Sequence, residues 1–523
     1  MSNDNSKLSG FKDKITKFLT PKNKPTYFLT RFVFLRLLGF VYFFAFLSLA
    51  TQVIPLLGGH GLLPAKNLID AYGSRFDSTQ HAFNNLPTIF LFGINDKLLL
   101  VLAWIGVILS FIVMIGFSDS IIMFILWLLY LSYINIGQLW YSYGWEIQLL
   151  ETGFLAVFLV PLLDLRPFPK HKVPVAIIWL LRWLTFRIML GAGLIKIRGD
   201  SCWKDLTCLI YHYQTQPIPN PLSPYFHFMP VFMHKLGALF NHFVELIVPF
   251  FVFWPRLLSN IAGFLIIFFQ FILIFSGNLS FLNWITIVAA VSCFDDNFLR
   301  RILPKFIVRK SDESAKKAKE YEFQKIISWI VFIIVAFLSI AVVQNLLSSN
   351  QIMNTSFNNV HLVNTYGAFG SVGKERYELI LEGTNDEVIN EKTEWKEYEF
   401  KYKPGNPYRK LPIIAPYQPR IDWQIWFAAF SAPEREPWLI HFIWKLLHND
   451  KDTLSLIANN PFPDNLPKYI KIEFYKYEFA KPGTGKVWNR TYVGQWLPPI
   501  STETKGLRDF IKANRWELYD KVR

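Results

Sequence analysis

GAGLIKIRGDSCWKDLTCLIYHYQTQPIPNP, residues 191–221, leaves an apolar run through Lys196 and Arg198 and then gathers Cys202, Trp203, Cys208, several charges and a proline-rich exit. Polar groups beside a membrane span are costly unless they serve packing or function. The stretch therefore reads as an elaborated loop at the end of a transmembrane helix.

Composition widens that reading to the whole chain. The hydrophobic fraction is 52%, the charged fraction 18%, and Phe alone counts 50 of 523 residues. A soluble chain of this length carries more charge. Roughly twenty apolar residues cross a bilayer as a helix, and the chain offers about nine such runs. They are 32–54, 98–117, 121–136, 147–163, 173–195, 236–253, 257–275, 281–294 and 326–347. No secretory signal peptide is evident, because the first apolar run starts near Phe32 and continues too long. The net charge of +15 sits mostly beside apolar runs, so it reads as topology and not as a nucleic-acid surface.

Three basic segments set the orientation. One is the N-terminal arm with Lys7, Lys12, Lys14, Lys17, Lys22, Lys24 and Arg31. The second is the loop with Arg166, Lys170 and Lys172. The third precedes the last span and runs from Arg300 to Lys319. Cytoplasmic loops collect such charge. With nine spans all three fall on one side, and the region after Leu347 falls on the other, in the ER lumen or the bacterial periplasm. The division is a basic cytoplasmic arm, 1–31, a transmembrane bundle with extracytoplasmic loops, 32–347, and a soluble C-terminal domain, 348–523. In that domain residues 377–381, 395–402, 472–479 and 487–496 alternate as half-buried strands do. Helices are expected over 423–430 and over 438–447 after Pro437. The fold class is thus an α-helical multi-pass membrane bundle followed by a β-rich, sandwich-like extracytoplasmic domain with a helical insertion.

Cys202 and Cys208 are expected on the oxidising face, where they are either a disulfide or two free thiols. A metal site is less favoured, since His212 would be a lone partner. Arg36, Arg182, Arg187 and Glu245 fall within apolar spans, and Glu146 and Glu151 enter the fourth. They read as mutual pairs that lock the bundle, Arg187 with Glu151 for example, or as a polar cavity that binds a ligand or moves protons. Lys196 with His212 is open to acid–base chemistry, although a membrane-edge lysine commonly snorkels. No catalytic or nucleotide-binding motif is present, so the chain reads as a non-enzyme with no cofactor.

Several blocks carry a resemblance. They are FLRLLGFVYFFAFLSLATQVIPLLGGHGLLPA at 34–65, YGWE at 143–146, LLETGF at 149–154 and the stretch 182–221. In the C-terminal part they are NTYGAFG at 364–370, KERYE at 374–378, WKEYEF at 395–400, KPG at 403–405 and the stretch 422–430. In these blocks the chain resembles the lipase maturation factor family over nearly its whole length. The resemblance implies a multi-pass protein of the ER membrane, or of the inner membrane in a bacterium. It further implies a lumenal or periplasmic C-terminal domain that helps secreted lipases or other exported proteins fold and assemble. The partners are then a client protein and membrane lipid, with no nucleic acid. Trp395, Trp423, Trp426 and Trp438 are candidates for a client surface or for the domain core. A weaker resemblance to the vitamin K-dependent carboxylase group leaves open a membrane enzyme using a lipid-soluble cofactor. Glu146, Glu151, Lys196, Arg198 and His212 would then line a reactive cavity. Lipid or ion transport is a third reading. The matching blocks share one face, so the domain is expected to dock on residues 196–221 around Trp203. Arg198, Asp200, Lys204 and Asp205 are expected to pair at that seam.

Overall fold

Long apolar runs in lipid have one economical solution, a helix that satisfies its own backbone. The computed structural model, which describes residues 25–76, 78–517 and 519, is built on that solution. Lys7 to Lys24 lie outside the described residues. Among the described residues six helices are long and apolar enough to cross a membrane: Phe28–Ala50, Asp96–Ile115, Val175–Gly199, Val231–Phe253, Arg256–Ser276 and Glu322–Leu347. The nine expected runs all form helices, but three are short. Ser120–Ile136 has 17 residues and Gly144–Leu159 has 16, and Leu282–Cys293 is shorter still. The count of nine is therefore not reached on length and apolarity, because these three are too short. Local chemistry sets the helix ends. Asn95 and Asp119 accept from the amides of Leu98 and Ile122 at two N-termini, as capping side chains do.

The Val231–Phe253 helix is irregular. Its first part is α-helical, Phe243–Ile247 is a π turn, and Val248–Phe253 is 3-10. Pro249 in the last part cannot donate to the helical ladder, which accounts for the change of pitch there. The π turn carries Glu245, which is buried.

Arg31 and the described parts of the other two basic segments gather at one end of the bundle. Arg31 donates to the carbonyls of Pro169 and His171, Ser314 donates to Pro169, and Lys172 pairs with Glu320. The amides of Phe28 and Leu29 bond the Asp296 carboxylate at the same end. The C-terminal domain covers the opposite end, where Ser48 and Gln52 bond Gln418 and Arg420.

That domain carries a four-stranded antiparallel sheet. It is built from β1 (Arg376–Thr384), β2 (Lys396–Glu397), β5 (Tyr469–Phe479) and β6 (Trp488–Ile500), in the order β2-β1-β5-β6. β3 (Glu399–Phe400) and β4 (Ile457–Asn459) form a separate two-stranded ribbon. The two expected helices appear as Arg420–Ala428 and Pro437–Leu447. One face of the main sheet, with Leu379, Leu381, Ile470 and Ile472, joins a core shared with Phe442 and Trp444 of the second helix. The sandwich-like detail is thus corrected: helices, not a second large sheet, cover this face. The same core continues without a break into Leu38, Tyr130 and Leu150 of the bundle.

Candidate functional site

Of the charges read from the sequence as intramembrane liabilities, Glu146, Glu151 and Arg187 lie at the seam between bundle and domain, whereas Arg36 and Arg182 bond the carbonyls of Gly116 and Ser292 within the bundle and Glu245 pairs with Lys196. Glu146, in the Gly144–Leu159 helix, pairs with Arg420 of the domain and accepts a bond from the Tyr130 hydroxyl. Arg420 also donates to the Trp140 carbonyl at 2.8 Å and lies 3.9 Å from the Tyr141 ring centroid. One helical turn on, Glu151 pairs with Arg187 and accepts from the Tyr366 hydroxyl at 2.7 Å. The Asn364 amide also donates to Glu151, at 3.1 Å, while Arg187 donates to the Asn364 carbonyl at 2.8 Å. From β1, Arg376 pairs with Glu378 and donates to the carbonyls of Gln214, Gln216 and Pro217. Each cation bonds across the seam, so each pair holds the domain to the bundle as well as neutralising a buried acid.

The stretch 191–221 lies under the domain. Trp203 Nε1 donates to the Phe369 carbonyl at 2.8 Å, and Asp200 accepts from the amides of Cys202 and Val372. Arg198 bonds the side chain of Gln351 at 2.8 Å, where an acidic partner was expected. Lys204 and Asp205 are exposed, so the expected pairing at the seam does not extend to them. Neither side chain points into the seam, because the Ser201–Lys204 turn buries Cys202 and Trp203 instead. Lys196 pairs with Glu245 at 2.7 Å, donates to Asn241 at 3.1 Å and stands over the Trp203 ring. It is 4% exposed, which leaves it no route to snorkel.

Cys202 and Cys208 are bonded to one another. Among the described residues they form with Asp200 a group that has metal-ligand spacing, but the bond removes both thiolates that a metal would need. Cys293 is free and buried. The bond closes a small loop beneath the domain, for which chain entropy gives about 2 kcal/mol. Cys208→Ser is expected to lose about that much in detergent melting, and unreduced wild-type protein should resist alkylation at both positions in mass spectrometry.

Between the seam contacts lies a cavity of about 570 Å³. Its walls include Tyr143 and Trp145 from the bundle, the glycine-bearing loop of Gly367 to Ser371, and Trp423, Trp426 and Phe427 from the domain. A second cavity of about 310 Å³ adjoins it, sharing Phe369, Ser371, Trp426 and Phe427 and adding His212 and Phe430. Glu146, Glu151, Lys196 and Arg198 line neither cavity, so the expected reactive cavity is not assembled; His212 alone of that set reaches one. The four are occupied by their partners instead. Of the candidate tryptophans, Trp423 is 3% exposed and packs edge-on against Tyr143 and Trp145, so it faces the seam cavity and not the outer surface. Trp438 is buried against Trp140. Trp395 is half-buried beneath Lys471 and lines neither cavity. Trp426 is half-buried and borders both cavities.

Sequence reasoning missed Arg420, Gln418 and Asn364. A signal was available for the first. Glu146 and Glu151 sit in one apolar helix with Arg187 as the single cation proposed for either, so a second cation was owed from elsewhere in the chain.

Three imidazoles outside the spans, His212 and His441 buried and His361 half-buried, are held neutral. His212 is pushed down to about 4 by burial and by the nearby Lys196 charge, His361 to about 4 by burial, and His441 to about 3 mainly by burial. An unfolded chain takes up these protons near 6.5, whereas the folded chain resists until about 4. The unfolded state thus binds more protons across that window, and stability falls as pH drops from about 6.5 to 4. Detergent melting should show this slope, and His212→Gln should make it shallower.

The comparisons with known proteins agree on one family. Residues 29–301 match the family model described as lipase maturation factor transmembrane domain, and residues 362–498 match that of the lipase maturation factor C-terminal domain. Lipase maturation factor 1 of Mus musculus is 46% identical over 521 residues, covering 94% of this chain and 90% of the relative. Lipase maturation factor 1 of Homo sapiens is 45% identical over 519 residues, with 94% and 91% covered. Lipase maturation factor 2 of Xenopus laevis is 30% identical, with 90% and 82% covered. No solved structure matches. These relatives are named as maturation factors and not as enzymes, in line with the absence of a catalytic motif. Both halves are matched, and residues 191–221 fall within the first of them: the chain, a multi-pass membrane protein, belongs to the lipase maturation factor family.

Proposed function

We propose that this chain is a membrane-anchored factor that helps secreted lipases reach their folded, active form on the extracytoplasmic side of its membrane. The observation that carries the reading is identity of 46% along 94% of the chain to a relative named for lipase maturation, with both domains included. The structure supports a non-catalytic role, because the buried charges serve as structural pairs and the cavity at the seam is lined by uncharged groups. The basic end of the bundle is cytoplasmic in this reading, and the domain faces the ER lumen, or the periplasm of a bacterium. Co-expression with a secreted lipase in cells that lack their own factor is the test. Lipase activity per mass of secreted lipase should rise. Unchanged specific activity with well-expressed chain would reject the proposal.

The sidedness has its own test. The sequon Asn489-Arg490-Thr491 has Asn489 and Thr491 exposed on β6, whereas Asn354 of Asn354-Thr355-Ser356 is half-buried against Gly144. Translation into ER microsomes should add one glycan that is lost in Asn489→Gln. A chain left unmodified there would place the domain on the other side.

A further inference from the structure

The two adjoining cavities make one cleft roofed by the Arg420–Ala428 helix and floored by the ends of the bundle helices. Its size suits a bound group, since ligand cavities run from about 300 to 1,000 Å³. Three features define what fits. Among the described residues no Asp, Glu, Lys or Arg lines either cavity, so a phosphate or carboxylate would find no counter-charge there. The walls are aromatic, and the rim exposes large apolar groups: Phe427 is 43% and Phe430 55% exposed. The loop between them also offers main-chain groups. Among the described residues, the amide N–H groups of Ala368, Phe369, Gly370 and Ser371 have no hydrogen-bond acceptor within the chain. Phe369 holds a positive φ of 52°, which keeps this loop out of regular helix or strand.

Unpaired main-chain donors beside aromatic pockets are the chemistry of extended-peptide recognition. Carbonyls of the guest answer the N–H groups, and its side chains fill the pockets. An acyl chain would leave those donors unanswered, at a cost comparable to a lost hydrogen bond for each buried one. We infer that the cleft binds an extended, uncharged segment rich in aromatic or aliphatic side chains, presented by an incompletely folded polypeptide. A finished fold buries such a segment, so the cleft selects chains that are not yet folded. The choice of an unfolded partner rests on the proposed maturation role; the chemistry of the cleft does not.

The test uses the full chain in nanodiscs and a short fluorescein-labelled peptide that alternates Phe or Leu with Ser. Anisotropy should report saturable binding, and replacing the Phe residues of the peptide with Asp should abolish it. Ala368→Trp, which fills the cleft from the loop, should weaken binding about tenfold or more. Phe430→Ser, a change at an exposed rim position that spares the fold, should weaken it by a smaller factor. Binding that ignores the Asp replacement, or that survives both variants unchanged, overturns the inference. So does absence of peptide binding together with saturable uptake of an uncharged diacylglycerol, which would make the cleft a lipid site. The two proposals separate cleanly. A chain that matures lipase without binding the peptide keeps the function and loses the cleft. A chain that binds the peptide but matures no lipase does the reverse.

Discussion

Arg420→Met is expected to destabilise the protein by about 3–5 kcal/mol, because it strands Glu146 as an uncompensated buried charge. Both side chains of this pair are fully buried. The guanidinium also carries the Trp140 carbonyl and the Tyr141 ring, so the loss is felt on both sides of the seam. The double change Glu146→Gln and Arg420→Met removes the stranded charge and should recover most of the loss. Melting in detergent measures the first effect. Protease cleavage between the last span and β1 measures whether the domain has come away. A single variant that melts like wild type would mean that the pair contributes nothing to docking.

Gly191→Val should be nearly as damaging by a different route. A Cβ at Gly191 would sit well under 3.0 Å from the Tyr366 carbonyl, and one at Gly199 equally close to the Gly370 carbonyl. Backbone faces backbone at both points, so no side chain can swing aside. Overpacking of this kind typically costs about 1–3 kcal/mol and occasionally more. Here the strain falls on the joint, so domain release should accompany the lower melting temperature. Gly73→Ala is the control. A Cβ there meets nothing within 4 Å, and a helical glycine gains about 0.5–1 kcal/mol on replacement by alanine. If Gly191→Val behaves like Gly73→Ala, the close approach is not a feature of the folded protein.

The bundle was largely legible from apolar runs alone, because a span announces itself over roughly twenty residues without help from distant parts of the chain. The strands of the domain were legible for a similar local reason, their alternation. What sits on each face of the sheet was not. Alternation says that β1 has two faces, but it cannot say that Leu379 and Leu381 meet helices and not a second sheet. The site was legible by half. Glu146, Glu151, Arg187, Trp203 and the two cysteines stood out because polar groups near a membrane need a reason. Arg420 and Asn364 did not, because a polar residue in a polar domain looks ordinary until its partner is known. Lys196 misled for the opposite reason: its position at a helix end suggested snorkelling, while its partner Glu245 lay on another helix, in a turn whose π pitch no simple periodicity reveals.

The pairing of Glu146 with Arg420 has a consequence in time. The two residues are 274 positions apart. A ribosome adding about 5–20 residues per second emits the second roughly 14–55 s after the first. Through that interval the half-made protein holds an acidic group in its helical part with no cation to answer it. The nascent chain therefore carries its own marker of incompleteness. Any product that stops short of Arg420 keeps the marker permanently, and a membrane surveillance machinery that extracts helices with unpaired charges would remove it.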